Sequence, residues 1–226
     1  MKKIIIFVNL KIKYHNKILN FLKKTYCVDV VSSEDTLIKK QFLKNKYDYF
    51  FCLYSHFKFN KSFLKNSKIA LNFHPALPKY PGSCGYNWAL YNNDKFHGIT
   101  VHNIDEKIDH GKIIYVKKFK ILNNDNLYSL IEKSFYWQYK VFFIIFNNII
   151  KKNSFFFSSI ISSTKWSSRT YKKKDLKKIE NIRIKLNYKN VHRLVRSLAY
   201  NEFGPIINIG KYKFKYISHD ENKKNL

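Results

Sequence analysis

The chain has 226 residues, with 43 Lys and Arg against 15 Asp and Glu and a formal net charge of +28. That length holds one full α/β domain and a short appendage, not two equal domains. Its three cysteines (Cys27, Cys52, Cys84) are too scattered for a disulfide framework or a CxxC zinc site. The longest apolar runs, 49–54 and 141–146, fall far short of the roughly 20 residues of a membrane helix, so no membrane partner is expected and a cytoplasmic protein is. Only four of the 43 basic residues are Arg, while Lys, Asn, Ile, Phe and Tyr abound. Bidentate phosphate recognition favours Arg, and codons rich in A and T explain the charge better than selection for nucleic acid does.

In chain order, Lys3 to Asn9 is an apolar first strand rather than a signal peptide. Ile18, Phe21 and Leu22 share a helical face, and 26–31 returns to a β-rich run. A short helix over 37–43 precedes a buried strand at 47–54. A helical turn at 62–67 precedes a strand at 69–74. This alternation predicts an α/β, Rossmann-like, mostly parallel sheet with helices on both faces and ligands at the carboxyl ends of its strands. Further on, 87–91 suits a helix, and 98–103 and 112–121 suit strands. Asp125 is placed to cap a long helix running to about Ile150, with Leu127, Leu130, Ile131 and Phe135 as its apolar stripe. Residues 154–168 form a Ser- and Phe-rich connector without a chemical signal. The tail adds a helix at 190–198 and a strand at 211–217, and 220–226 is expected to be disordered. The division is 1–152 as the main domain and 153–226 as connector and short C-terminal subdomain.

Four of six glycines and three of four prolines lie between 75 and 111. Gly permits positive φ and close backbone approach, and Pro fixes φ, so the chain concentrates shaped backbone there. Asn72 and His74, two apart on a strand, point the same way, and Pro75 holds His74 extended. Asp105, Glu106 and Asp109 fall within five residues just before a strand. Taken alone, that run is as well explained by a solvated acidic turn as by a site.

Together these elements resemble the folate-dependent formyltransferases. The stretch Asn72-Phe73-His74-Pro75-Ala76-Leu77-Pro78-Lys79-Tyr80-Pro81-Gly82 is similar to the family's Asn-x-His-Pro…Leu-Pro-x-Tyr-x-Gly signature. Gly98-Ile99-Thr100-Val101-His102 resembles its next strand, and 104–114 resembles its Asp-x-Gly loop. The resemblance implies the formyltransferase fold, 10-formyltetrahydrofolate as formyl donor and a primary amine as acceptor. It makes Asn72, His74 and Asp109 the catalytic residues, and no metal is required. It also implies a folate site between the acidic loop (Ile104, Asp105, Glu106, Ile108) and the loop after the preceding strand (Leu53, Tyr54, Ser55, His56, Phe57), where backbone groups dominate the contacts.

Departures bear on the acceptor. The Pro loop is one residue shorter than the common form, Lys107 stands where Gly is usual, and no Gly-x-Gly follows the first strand. The last of these argues against a glycinamide ribonucleotide substrate. Methionyl-tRNA formyltransferases carry a longer C-terminal barrel. Here Arg169-Thr170-Tyr171, 194–198 and 210–214 resemble the shorter tail of sugar N-formyltransferase-like members. The expected acceptor is therefore a small, nucleotide-linked amino sugar, with methionyl-tRNA as the alternative partner. A non-catalytic, basic RNA-binding protein on this scaffold is the remoter reading.

Overall fold

The computed structural model describes residues 1–36, 38, 40–55, 57–152, 164–182 and 187–217. The main strands are β1 (Lys3–Val8), β2 (Cys27–Ser32), β3 (Tyr47–Cys52), β4 (Ser67–His74), β5 (Phe96–Asn103) and β6 (Ile113–Lys120). They form one sheet in the order β2-β1-β3-β4-β5-β6. The helices are α1 (Lys13–Lys23), α2 (Lys40–Lys44), α3 (Lys61–Leu64), α4 (Gly85–Tyr91) and α5 (Leu127–Lys152).

Period-two alternation splits the apolar residues between two faces. Ile4, Ile6, Phe51, Leu71, Phe73 and Val101 are buried against α1 and α5, together with Ile18, Leu22, Phe142 and Phe146. Ile5, Phe7, Phe50 and Cys52 face the other way, toward Phe42 of α2 and Phe63 of α3. Each fully buried side chain of this size contributes about 1.5–3 kcal/mol. Phe21, expected on the buried face of α1, is half exposed but sets its ring edge-on to Phe143 and Phe146.

Strand directions bear out a mostly parallel sheet, with an antiparallel edge. β2, β1, β3 and β4 run parallel, whereas β4–β5 and β5–β6 are antiparallel. A parallel crossover must return to the start of the sheet. α4 spans only about 10 Å at 1.5 Å per residue, against about 26 Å for a strand as long as β4. The chain therefore turns back at the end it has reached. The loop at 104–112 is likewise shorter than the dozen or more residues that a parallel connection needs. The sheet is mixed, and its antiparallel edge decides which residues meet at the site.

The cap of α5 also shifts by one. Asn126, not Asp125, accepts from the Ser129 N–H through its side chain (2.9 Å), and Ser129 Oγ accepts in return from the Asn126 N–H. Asp125 is buried instead, receiving the Leu122 N–H and pairing with Lys133 at 2.6 Å.

The C-terminal part docks on this end. Strands β7 (Asn181–Ile182), β8 (Ile206–Ile209) and β9 (Tyr212–Lys215) form a small sheet beside α6 (Tyr188–Leu198). Arg196 Nε donates to Asp125 O (2.7 Å), and Asn87 Nδ2 donates to Ser197 O (2.7 Å). The expected connector lies outside the described residues as far as 163, and so does the tail from 218 onward.

Two histidines are structural. His15 accepts from the Asn9 N–H and donates through Nε2 to Gln138, which in turn donates to Leu53 O and Phe73 O. His97 donates through Nε2 to Pro75 O, and its Nδ1 is buried without a partner. Burial, only partly opposed by these hydrogen bonds, lowers His15 to about 4 and His97 to about 3. An unfolded His titrates near 6.5. Below about that pH the unfolded chain takes up protons that the folded one refuses, so stability falls with pH down to the folded values. Urea unfolding between pH 7 and 4 should show this decline, and His97→Asn should flatten it. A pH-independent midpoint in the parent protein would contradict the assignment.

Candidate active site

The site forms at the carboxyl end of β4. Leu71 and Phe73 are fully buried in the core on one face, so Asn72 and His74 stand on the other. The antiparallel register sets His102 of β5 directly opposite Asn72 and Thr100 opposite His74. A register shift between Val101 and His102 interrupts the pairing with β6 at this point. Such irregularities re-aim side chains. Thr100 Oγ1 donates to Ala76 O (2.7 Å), tying the Pro loop to β5.

The acidic loop delivers Asp109. Its φ of +45° is left-handed, a conformation that Asp tolerates better than most residues. Two positions later a Cβ on Gly111 would lie 1.9 Å from Asn103 O, so only glycine lets the loop close onto the end of β5. The Asp109 carboxylate then lies among four groups. Oδ2 accepts from the Gly82 N–H (2.7 Å) and is 3.3 Å from His74 Nδ1. Oδ1 accepts from Asn72 Nδ2 (3.2 Å) and is 3.2 Å from His102 Nε2.

These contacts constrain the protons. His74 Nε2 donates to Tyr80 O (2.9 Å), so its ring lies between two acceptors, and only the imidazolium can donate to both. His102 Nδ1 donates to Asn103 O (2.8 Å), and its Nε2 is 3.0 Å from Asn72 Nδ2. A neutral His102 therefore accepts the second Asn72 N–H. A charged one donates to Asp109 and releases that N–H. Burial would raise the pKa of Asp109. The charge of His74, the hydrogen bond and charge of His102, and the Gly82 N–H overcome it and lower the carboxyl to about 2.

A cleft of about 1320 Å³ opens at Asp109, and its walls carry Lys58, Lys107, Lys112, Lys165 and Lys172. Glu106 and Ile108 also line it. Of the other folate candidates, Leu53 is buried in the core, and its carbonyl accepts from Gln138. Phe57 and Ile104 pack beneath the sheet against the Phe7–Phe50 cluster. Tyr54 is exposed, and Ser55 Oγ accepts from the Phe57 N–H. Asp105 is bonded to His110 (2.8 Å) and accepts from the Lys107 N–H. His56 lies outside the described residues.

Three participants escape a sequence reading. His102 is one, because its pairing depends on the antiparallel register. The Gly82 N–H is another. The third is Trp166, from the stretch that carries no chemical signal. Its Nε1 donates to Gly111 O (2.8 Å), and its ring meets His102 and His74 edge-on at 4.9 and 5.8 Å between centroids.

Residues 58–142 match the protein-family model described as formyl transferase, which bears out the resemblance drawn from the motifs. Over 64 residues, 28% of this chain, the sequence is 42% identical to a methionyl-tRNA formyltransferase of Thermodesulfovibrio yellowstonii. The matched segments span only 14–21% of the length of such curated relatives. Among solved structures, a 4-N formyltransferase from Francisella tularensis superposes with a TM-score of 0.78 at 19% identity, covering 96% of this chain and 97% of that one. An N-formyltransferase from Helicobacter canadensis, in complex with folinic acid and dTDP-3-aminofucose, gives 0.69 at 23% identity, covering 93% and 85%. At these identities the likeness establishes the fold, which is that of the formyltransferases.

Proposed function

We propose that this chain, with a formyl transferase sequence pattern at 58–142 on a formyltransferase fold, transfers a formyl group from 10-formyltetrahydrofolate to the primary amine of a nucleotide-linked amino sugar. The reading rests on the buried Asp109 carboxylate, which contacts Asn72, His74 and His102 and lines a basic cleft. The donor supplies an activated formyl carbon. The acidic loop and the loop after β3 present Glu106, Ile108 and backbone groups to it. As the amine attacks, charge collects on the formyl oxygen, and N–H donors aimed there typically contribute about 3–4 kcal/mol each. His74 Nδ1–H, whose 3.3 Å contact with Asp109 is the longest of the cluster, is one such donor. The second Asn72 N–H, released when His102 is charged, is the other. Asp109, ionised above about pH 2, holds both and takes the amine proton directly. The division into 1–152 and 153–226 and a cytoplasmic location belong to the same proposal.

The acceptor assignment rests on two features. A sugar N-formyltransferase from Shewanella matches this fold over 97% of its length, against 92% for a methionyl-tRNA formyltransferase from Clostridium thermocellum, and the lysines of the cleft suit a phosphate-bearing ligand. The net charge of +28 and the methionyl-tRNA formyltransferase segment favour tRNA as the second reading. Salt separates the two. A tRNA held by several phosphates should lose on the order of 10³-fold or more in affinity between 50 and 200 mM salt, whereas a sugar nucleotide with few phosphate contacts should change only modestly. Kinetics with both acceptors across that range decide the matter, and efficient, steeply salt-sensitive formylation of methionyl-tRNA would overturn the choice of acceptor.

A further inference from the structure

We propose that Trp166 is a positioning residue that walls the transfer site against water, so that the formyl group goes to the amine and not to hydroxide or water. The inference rests on the formyl-transfer reading above. Trp166 lines the cleft beside Asp109 and lies edge-on to both imidazoles of the cluster. Its segment is pinned on two sides. The Ser167 N–H donates to Pro78 O (2.9 Å) and the Tyr171 N–H to Pro81 O (2.8 Å). The indole N–H donates to Gly111 O in the loop that carries Asp109. An indole whose one polar atom is already bonded offers the site only apolar surface.

That surface matters because the donors that stabilise amine attack serve water equally well. In hydrolysis a water oxygen bonds to the formyl carbon and the carbon–N10 bond breaks. Formate leaves, and N10 takes up one of the water protons. The transfer differs only in the nucleophile. Selectivity must therefore come from excluding water, which also strengthens every electrostatic contact inside. His74, Asp109 and His102 are all nearly inaccessible in the presence of this ring.

The test is formate release from 10-formyltetrahydrofolate alone, without any acceptor, by the parent protein, Trp166→Phe, Trp166→Ala and His74→Ala. Trp166→Ala should release formate at least about tenfold faster than the parent, as expected when a water-excluding wall is lost. Trp166→Phe restores an aromatic wall without the indole N–H and should bring the rate back down. Adding His74→Ala to Trp166→Ala should abolish the release, placing the hydrolysis in this site. Should the Ala variant fail to fold, Trp166→Leu takes its place. Equal rates in the parent and the Ala or Leu variant, or a rise in Phe as large as in Ala, would overturn the inference. If the His74→Ala variants keep full hydrolysis, or His74→Ala alone keeps full transfer to dTDP-3-aminofucose, the formyl-transfer reading itself fails. A dead His74→Ala with unchanged Trp166 variants would sink only the role of Trp166.

Discussion

Asp109→Asn is expected to lower formyl transfer by at least about 100-fold, the range seen for loss of a proton-transfer group or of an oxyanion donor's support. The carboxylate accepts from Gly82 and Asn72 and faces two imidazoles. An amide has one oxygen. Whichever way it turns, its NH₂ must confront a donor, either the Gly82 N–H on one side or Asn72 on the other. A buried donor left without an acceptor costs about 1–3 kcal/mol, which a domain with 5–15 kcal/mol of net stability can bear. Circular dichroism should therefore report a folded protein while turnover collapses. The proton also loses its destination, and His74 loses the charge that its ring faces. Near-parental turnover in Asp109→Asn would remove Asp109 from the mechanism.

Gly82→Ala should be nearly as damaging from outside the side-chain cluster. Gly82 has a φ of +96°, and a Cβ there would lie 2.2 Å from Tyr171 O. That carbonyl is not free to retreat, because it accepts from the Ser83 N–H while the Tyr171 N–H donates to Pro81 O, each at 2.8 Å. A side chain at this φ is strained by about 1–3 kcal/mol, and relief would move the N–H that holds Asp109 Oδ2. The variant should melt lower and lose at least about tenfold in turnover, since an ångström of misplacement at a reacting centre costs on that order or more. Parental values of both melting temperature and turnover would show that the glycine is dispensable.

Much of this was legible in the residues. The strands through β6 follow from apolar runs and breakers, and the pairing of Asn72 with His74 follows from the period of two. The cluster of Gly and Pro marked the loops that converge on Asp109. What was not legible depended on direction or on distance along the chain. Strand polarity is invisible to periodicity, so the antiparallel β4–β5 register, and with it His102 opposite Asn72, could be found only by comparing the length of α4 with the span it would have to cross. Asp125 looked like a cap because it is acidic and precedes an apolar stripe, but the neighbouring Asn126 has the geometry and Asp125 instead pairs with Lys133. Trp166 lies 92 positions from His74 in the numbering and reaches it only because residues 167 and 171 bond to the Pro loop. No local pattern encodes that contact.

The measurement closest to the central claim is transfer of radiolabelled formyl from 10-formyltetrahydrofolate to a panel of nucleotide-linked amino sugars and to total tRNA, by the parent protein beside His74→Ala. Formyl transfer through this site yields labelled product with an amino sugar, and that product disappears in His74→Ala. Labelled product at equal rates in both proteins, or none with any amine in the panel from a folded parent protein, would contradict it.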